Sequence, residues 1–143
     1  MTDARTFEDT FNLLCGARLG GGAHRTVFEC RIRPDLVVKV EIDTTWRGFY
    51  NAREYKFYTD YAHCPGVEKW LAPVEFISPD GRILLQKRCD PVRSTDTLPD
   101  KIPAFFTDIK RENFGWLNGK FVCLDYALTI DRAEQRLKKV TVW

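Results

Sequence analysis

The chain has 143 residues, of which 44% are hydrophobic, 13% aromatic and 29% charged, so it is one domain in size, too apolar for disorder and too charged for a membrane protein. Lys and Arg number 22 against 20 Asp and Glu, and the charges are interspersed, so the net +2 does not argue for nucleic acid. Five cysteines without a CxxC pair and two histidines exclude a disulfide scaffold and a zinc finger, and read as reduced, mostly buried thiols in a cytoplasmic protein.

The N-terminal stretch carries Asp3, Glu8 and Asp9 and lacks the apolar core of a secretory signal. No apolar run approaches the roughly 20 residues that span a bilayer. Residues 5–15 carry Phe7, Phe11 and Leu14 at helical spacing. Leu19-Gly20-Gly21-Gly22 follows as the most flexible stretch. Residues 27–32 and 36–42 read as two strands joined by the turn Arg33-Pro34-Asp35, hence a hairpin. Residues 44–62 read as a helix, with Trp46, Phe49, Tyr50, Phe57 and Tyr61 recurring near 3.6 spacing and Cys64-Pro65-Gly66 ending it. Residues 71–77 and 82–87 are strands flanking Ser78-Pro79-Asp80-Gly81. Residues 88–103, with Pro91, Pro99 and Pro103, form a connector. Residues 114–117 and 120–124 flank Asn118-Gly119, a type I′ hairpin signal. Residues 130–140 read as a short polar helix. Strands outnumber helices, and the fold class is α+β with a mainly antiparallel sheet.

Four constellations carry chemistry. Gly20 and Gly22 would let backbone amides approach phosphate oxygens without an intervening Cβ; otherwise the cluster is a plain turn. No Gly-Lys-Ser/Thr follows it, and a strand rather than a helix comes next, so it is neither a Walker A loop nor a dinucleotide fingerprint. Lys39 sits among β-branched residues, where a charge is costly unless paired. It either faces outward from an alternating strand or pairs with Glu54, 15 residues on, in the following helix. Asp108, Lys110 and Asn113 form Asp-x-Lys-x-x-Asn, which places a base, a phosphate clamp and a metal ligand on one loop, or is a solvated polar loop. Asp125 ends an apolar strand, as a Mg²⁺ ligand or a turn residue.

The order of these four, glycine loop, strand lysine, helix glutamate, Asp-x-Lys-x-x-Asn and hairpin aspartate, resembles the catalytic layout of the eukaryotic-type protein kinases. The resemblance covers residues 17–127. In particular it looks like small kinase-like proteins of bacteria and their phages, whose glycine loops also read Gly-x-Gly-x-His-Arg. It implies a single kinase-like domain over 1–143, with an N-lobe of antiparallel sheet plus one αC-type helix at 17–88. Residues 89–143 would hold the connector, catalytic loop, hairpin and short C-terminal helix of a much reduced C-lobe. It implies ATP and Mg²⁺ as cofactors and a bacterial host cytoplasm as location. By resemblance, Gly20 and Gly22 cover the phosphates, and Lys39 holds them while paired with Glu54. Asp108 is the catalytic base, Lys110 neutralises the γ-phosphate, and Asn113 and Asp125 hold Mg²⁺. The strand Ile83-Leu84-Leu85 and then Gln86-Lys87-Arg88 stand where the family has its gatekeeper and adenine-binding hinge.

The chain departs from the family at several points. Arg25 stands where the third glycine usually is, Phe106-Thr107 replaces the usual His-Arg, and Asp125-Tyr126-Ala127 replaces Asp-Phe-Gly. About 20 residues separate Arg88 from Asp108, too few for the usual pair of helices, and no Ala-Pro-Glu follows Asp125. The implied activity is phosphoryl transfer to a hydroxyl of a protein (Ser/Thr), a small molecule or the chain itself. The alternative is a catalytically weak kinase-like module that grips a partner protein, with Trp46, Trp70, Trp116 and Trp143 as anchors or as ordinary core. A homodimer would supply the missing lobe. A third reading, a nucleic-acid edge, would use Lys101, Lys110, Arg111 and Lys120 with Arg132, Arg136, Lys138 and Lys139.

Overall fold

The computed structural model describes residues 4–41, 48–129 and 136–143. The fold is mixed α+β with mostly antiparallel sheets. It divides into two compact units, Met1–Tyr55 with Pro73–Arg88, and Lys56–Ala72 with Cys89–Trp143.

The first unit is a five-stranded sheet. Helix α1 (Ala4–Leu14) runs directly into β1 (Cys15–Gly21), which pairs with β2 (Arg25–Cys30). Strand β3 (Leu36–Glu41) follows, then β4 (Val74–Ile77) and β5 (Ile83–Lys87), in the order β1-β2-β3-β5-β4. All six residues of β3 are buried, because the strand is central and both its faces are covered. Side chains alternate along a strand, so the two faces differ in chemistry. Leu36, Val38 and Val40 join Leu14, Cys15, Cys30 and Ile83 in an apolar cluster, with Phe7 and Phe11 of α1 packed against it. Val37, Lys39 and Glu41 take the other face. Full burial of such a β-branched strand contributes on the order of 2 kcal/mol per large side chain.

Helix α2 (Tyr50–Tyr61) gives its first half to this unit and its second half to the other. The expected helix began at 44, but 48–49 precede it and 44–47 lie outside the described residues. Its aromatic spacing does not mark the buried stripe. Asn51, Glu54 and Phe57 are buried, whereas Phe49 is 56% exposed. Polar groups displace aromatics from the stripe because the facing strand presents charge.

The second unit has an aromatic core. Phe57 packs on Phe105 and Tyr126, and Phe114 lies between Phe106 and Phe121. Trp116 and Trp143 pack edge-on against Phe121, so both are packing residues and neither is exposed. Trp70 is half-buried, and Trp46 lies outside the described residues. After the short helix α3 (Pro65–Glu68), strands β6 (Asp90–Pro91), β8 (Phe114–Leu117) and β9 (Lys120–Cys123) make one sheet, and β7 (Lys101–Pro103) pairs with β10 (Leu137–Lys139). The β8–β9 turn has Asn118 at φ 52 and Gly119 at φ 79, the two positive values a type I′ turn requires.

Two expectations are corrected here. Residues 137–139 are strand, not helix, and 130–135 lie outside the described residues. Pairing with Lys101–Pro103 and the bond from Val140 N–H to the Asp100 carbonyl satisfy a backbone that a short polar helix would hold only marginally. The strand expected at 71–77 begins at Val74; Leu71 makes only an isolated bridge, to Cys123. The five cysteines are free thiols, Cys15, Cys30 and Cys123 buried. Burial, with Cys30 alongside, pushes the Cys15 thiol up to about 11. Among the described residues no helix is long and apolar enough to cross a membrane.

Candidate functional site

The charged face of β3 organises the first unit. Lys39 Nζ lies 2.6 Å from Glu54 Oε1, and the two side chains are 6% and 0% exposed. The outward-facing alternative for Lys39 is thereby corrected: its strand is interior, so both of its faces are covered. Glu54 meets a second cation. Arg25 Nη1 reaches Glu54 Oε1 at 3.0 Å, and Nη2 reaches Oε2 at 3.4 Å. Arg25 Nη1 also donates to Asn51 Oδ1 at 3.2 Å. The Asn51 amide donates to the Lys39 carbonyl, and the Asn51 backbone N–H donates to Glu41 Oε1.

Burial alone would raise the Glu54 pKa, and it is the largest single influence. The nearby charges of Arg25 and Lys39 together outweigh it and hold the carboxyl down to about 2. The group is therefore a carboxylate at any physiological pH.

The sequence offers the Lys39–Glu54 pair as one of two readings of Lys39, and marks Arg25 only as the residue where the third glycine usually stands. It did not single out Asn51 or Glu41. Two signals were present. Lys39 and Glu41 are two apart on one strand, so they share a face. Asn51 and Glu54 are three apart on one helix, so they share a stripe. Arg25 required the β2–β3 register, which sets it opposite Glu41.

Gly20 and Gly21 lie within β1 rather than in a loop, and Gly22 opens the turn to β2, its N–H donating to the Arg25 carbonyl at 2.9 Å. The three glycines have different reasons to be there. A Cβ on Gly21 would come within 3.0 Å of the Arg25 carbonyl oxygen. A Cβ on Gly20 or Gly22 would meet nothing within 4 Å, and neither has a positive φ. Neither packing nor backbone conformation demands glycine at those two positions. Gln86 is buried within β5, opposite Val37 and Val74, so it is a sheet residue and the strand continues through Lys87. Lys87 turns to Asp35 and Glu75 at 2.9 and 3.1 Å.

In the second unit the Asp-x-Lys-x-x-Asn segment forms one loop. Asp108 and Lys110 are exposed, with Lys110 Nζ 3.7 Å from Asp108 Oδ2. A single 3-10 turn (Arg111–Asn113) buries Asn113, whose side-chain amide donates to the Asp108 carbonyl at 2.9 Å. The Asn113 carbonyl accepts from Leu124 N–H, which ties this loop to the strand end that carries Asp125. Asp125 is exposed, and the next residue, Tyr126, is anchored by its hydroxyl to the Ala72 carbonyl at 2.6 Å. Among the described residues no group of three or more His, Cys, Asp or Glu is arranged to hold a metal. Mg²⁺ held by one or two protein oxygens plus phosphates and waters would need no such group.

No family model matches the chain, and no curated protein matches it.

Proposed function

We propose that this chain is an ATP- and Mg²⁺-dependent phosphotransferase of the protein kinase-like type. The buried Lys39–Glu54 pair carries the reading. A buried ion pair loses several kcal/mol per ion to desolvation, and an apolar pair of similar size often stabilises a fold as well or better. A strand lysine and a helix glutamate kept together under that cost support a role beyond folding. Gly20 and Gly22, which the fold itself does not require, support a ligand that approaches the backbone there.

In this reading Lys39 holds the α- and β-phosphates, Gly20 and Gly22 cover them, and Asn113 and Asp125 hold Mg²⁺. The acceptor is a hydroxyl of a protein, of a small molecule or of the chain itself. Its oxygen bonds to the γ-phosphorus as the bond to the ADP oxygen breaks, and its proton passes to Asp108. Lys110 neutralises charge on the transferred group. The chemistry is mainly positioning and charge neutralisation.

Calorimetric titration with ATP, with and without Mg²⁺, tests this beside Lys39→Ala and Asp125→Ala. Mg²⁺-dependent binding weakened by both substitutions is the expected result. Absence of binding at millimolar ATP sinks the enzyme reading.

A second reading, a kinase-like module that binds a partner protein, draws support from an apolar groove in the first unit. Phe49, Ala52, Phe76 and Ile77 line a cavity of about 470 Å³ there, with Phe49 and Phe76 56% and 45% exposed. Asp108→Ala would leave such binding intact.

A further inference from the structure

We propose that Arg25 is a positioning residue for the Lys39 amine, which rests on the phosphate-holding role read above for Lys39. Two positive charges meet at the Glu54 carboxylate. The Arg25 guanidinium spans both carboxylate oxygens, at 3.0 and 3.4 Å, while Lys39 shares Oε1 at 2.6 Å. Arg25 is itself buried and is further fixed by Asn51 Oδ1.

A fully buried carboxylate is costly once unpaired. With lysine as the sole cation, turning the amine toward a phosphate would strand the glutamate. Here the fork of Arg25 keeps Glu54 paired whichever way Lys39 turns. Glu41, on the same face of β3, does not take this role, because its Oε1 accepts from the Asn51 N–H at the start of α2. Lys39 is thus shared between Glu54 and an incoming anion. Removing Arg25 commits Lys39 to Glu54 and withdraws it from the ligand. Arg25 acts through Glu54 and makes no contact with the nucleotide.

The test is a double-mutant cycle read by ATP·Mg²⁺ affinity on the intact chain, with circular dichroism to establish folding. Arg25→Met is expected to weaken ATP binding about tenfold with Glu54 present and less than about twofold in a Glu54→Gln background, since residues acting as a unit are non-additive. Arg25→Lys restores the charge without the fork, so it is expected to fall between wild type and Arg25→Met; it replaces Arg25→Met should that variant not fold. An equal loss in both backgrounds would mean that Arg25 touches the nucleotide, and no loss in either would mean that it positions nothing; both overturn the proposal.

If the wild type does not bind ATP, the phosphotransferase reading fails, and a ligand-free arm still decides the role of Arg25. In Lys39→Met, carbon-13 NMR of the Glu54 carboxyl, facing Arg25 from β2 and Asn51 and Glu41 nearby, is expected to show a titration still below the ordinary carboxylate range. A return to that range or above shows that Arg25 alone does not hold Glu54, and overturns the proposal.

Discussion

The Asn51 side chain donates to the Lys39 carbonyl at 3.0 Å, so the helix that carries Glu54 is tied to the backbone of the strand that carries its partner. The pairing of Lys39 with Glu54 is therefore held by more than its own charges. Asn51→Ala removes two buried hydrogen bonds, the one to the Lys39 carbonyl and the one from Arg25 Nη1, which keeps its bond to Glu54. The expected cost is about 2–3 kcal/mol, read as a lower urea midpoint with an unchanged slope. A change below about 0.5 kcal/mol would show that the tie contributes little.

Glu54 sets an acid limb. Its folded pKa, about 2, is below the ordinary 4.5, so the stability it contributes is complete above the unfolded value and is lost as pH falls from about 4.5 toward 2. The shift corresponds to about 3 kcal/mol. Glu54→Gln should lower stability at pH 7, where it leaves Arg25 and Lys39 without their counter-charge, and flatten the decline between pH 5 and 2. Urea unfolding across that range checks both, and an undiminished acid slope in the variant would place the titrating group elsewhere.

Gly20→Ala and Gly22→Ala separate folding from ligand binding. The added methyl meets no atom in either case, so stability should hold or rise by up to about 1 kcal/mol through the unfolded state. ATP affinity should fall about tenfold for the loss of one charge-assisted backbone hydrogen bond. Thermal melts and calorimetry on the same samples read the two effects, and unchanged affinity in both variants removes the glycines from the site.

Asp108→Ala should lower γ-phosphate transfer by about 10²–10⁴-fold while nucleotide binding persists, because a positioned base acts on the acceptor proton. Asp125→Ala should instead weaken the Mg²⁺-dependent part of nucleotide binding. Radiolabelled transfer to the chain itself, measured beside calorimetry, distinguishes the two. Equal losses of binding in both variants would contradict the separate roles.

Tyr126→Phe removes a buried hydroxyl whose partner is the Ala72 carbonyl. The expected cost is about 1–2 kcal/mol, seen as a lower melting temperature, with the ring packing on Phe57 retained. A neutral result would show that this bond contributes little to stability.

The three hairpins β2–β3, β4–β5 and β8–β9 were legible in the sequence because their turn signals are local. Asn118-Gly119 names its own turn through the φ values the two residues accept, and Pro34-Asp35 lies between two β-branched runs that become β2 and β3. The Lys39–Glu54 pair was also within reach, since a lysine inside an apolar strand demands a counter-charge. Other features depended on partners distant in the chain. Residues 137–139 are strand only because Lys101–Pro103 offers an edge to pair with. Arg25 meets Glu54 only because the β2–β3 register places Arg25 opposite Glu41, beside the stripe where Asn51 and Glu54 are buried. The sequence by itself determined the turns that close the β2–β3, β4–β5 and β8–β9 hairpins and which residues are candidate charges, through backbone preferences that each residue carries alone. Only the tertiary structure decided which charges share one buried carboxylate, because that depends on register and burial, and neither belongs to a single residue.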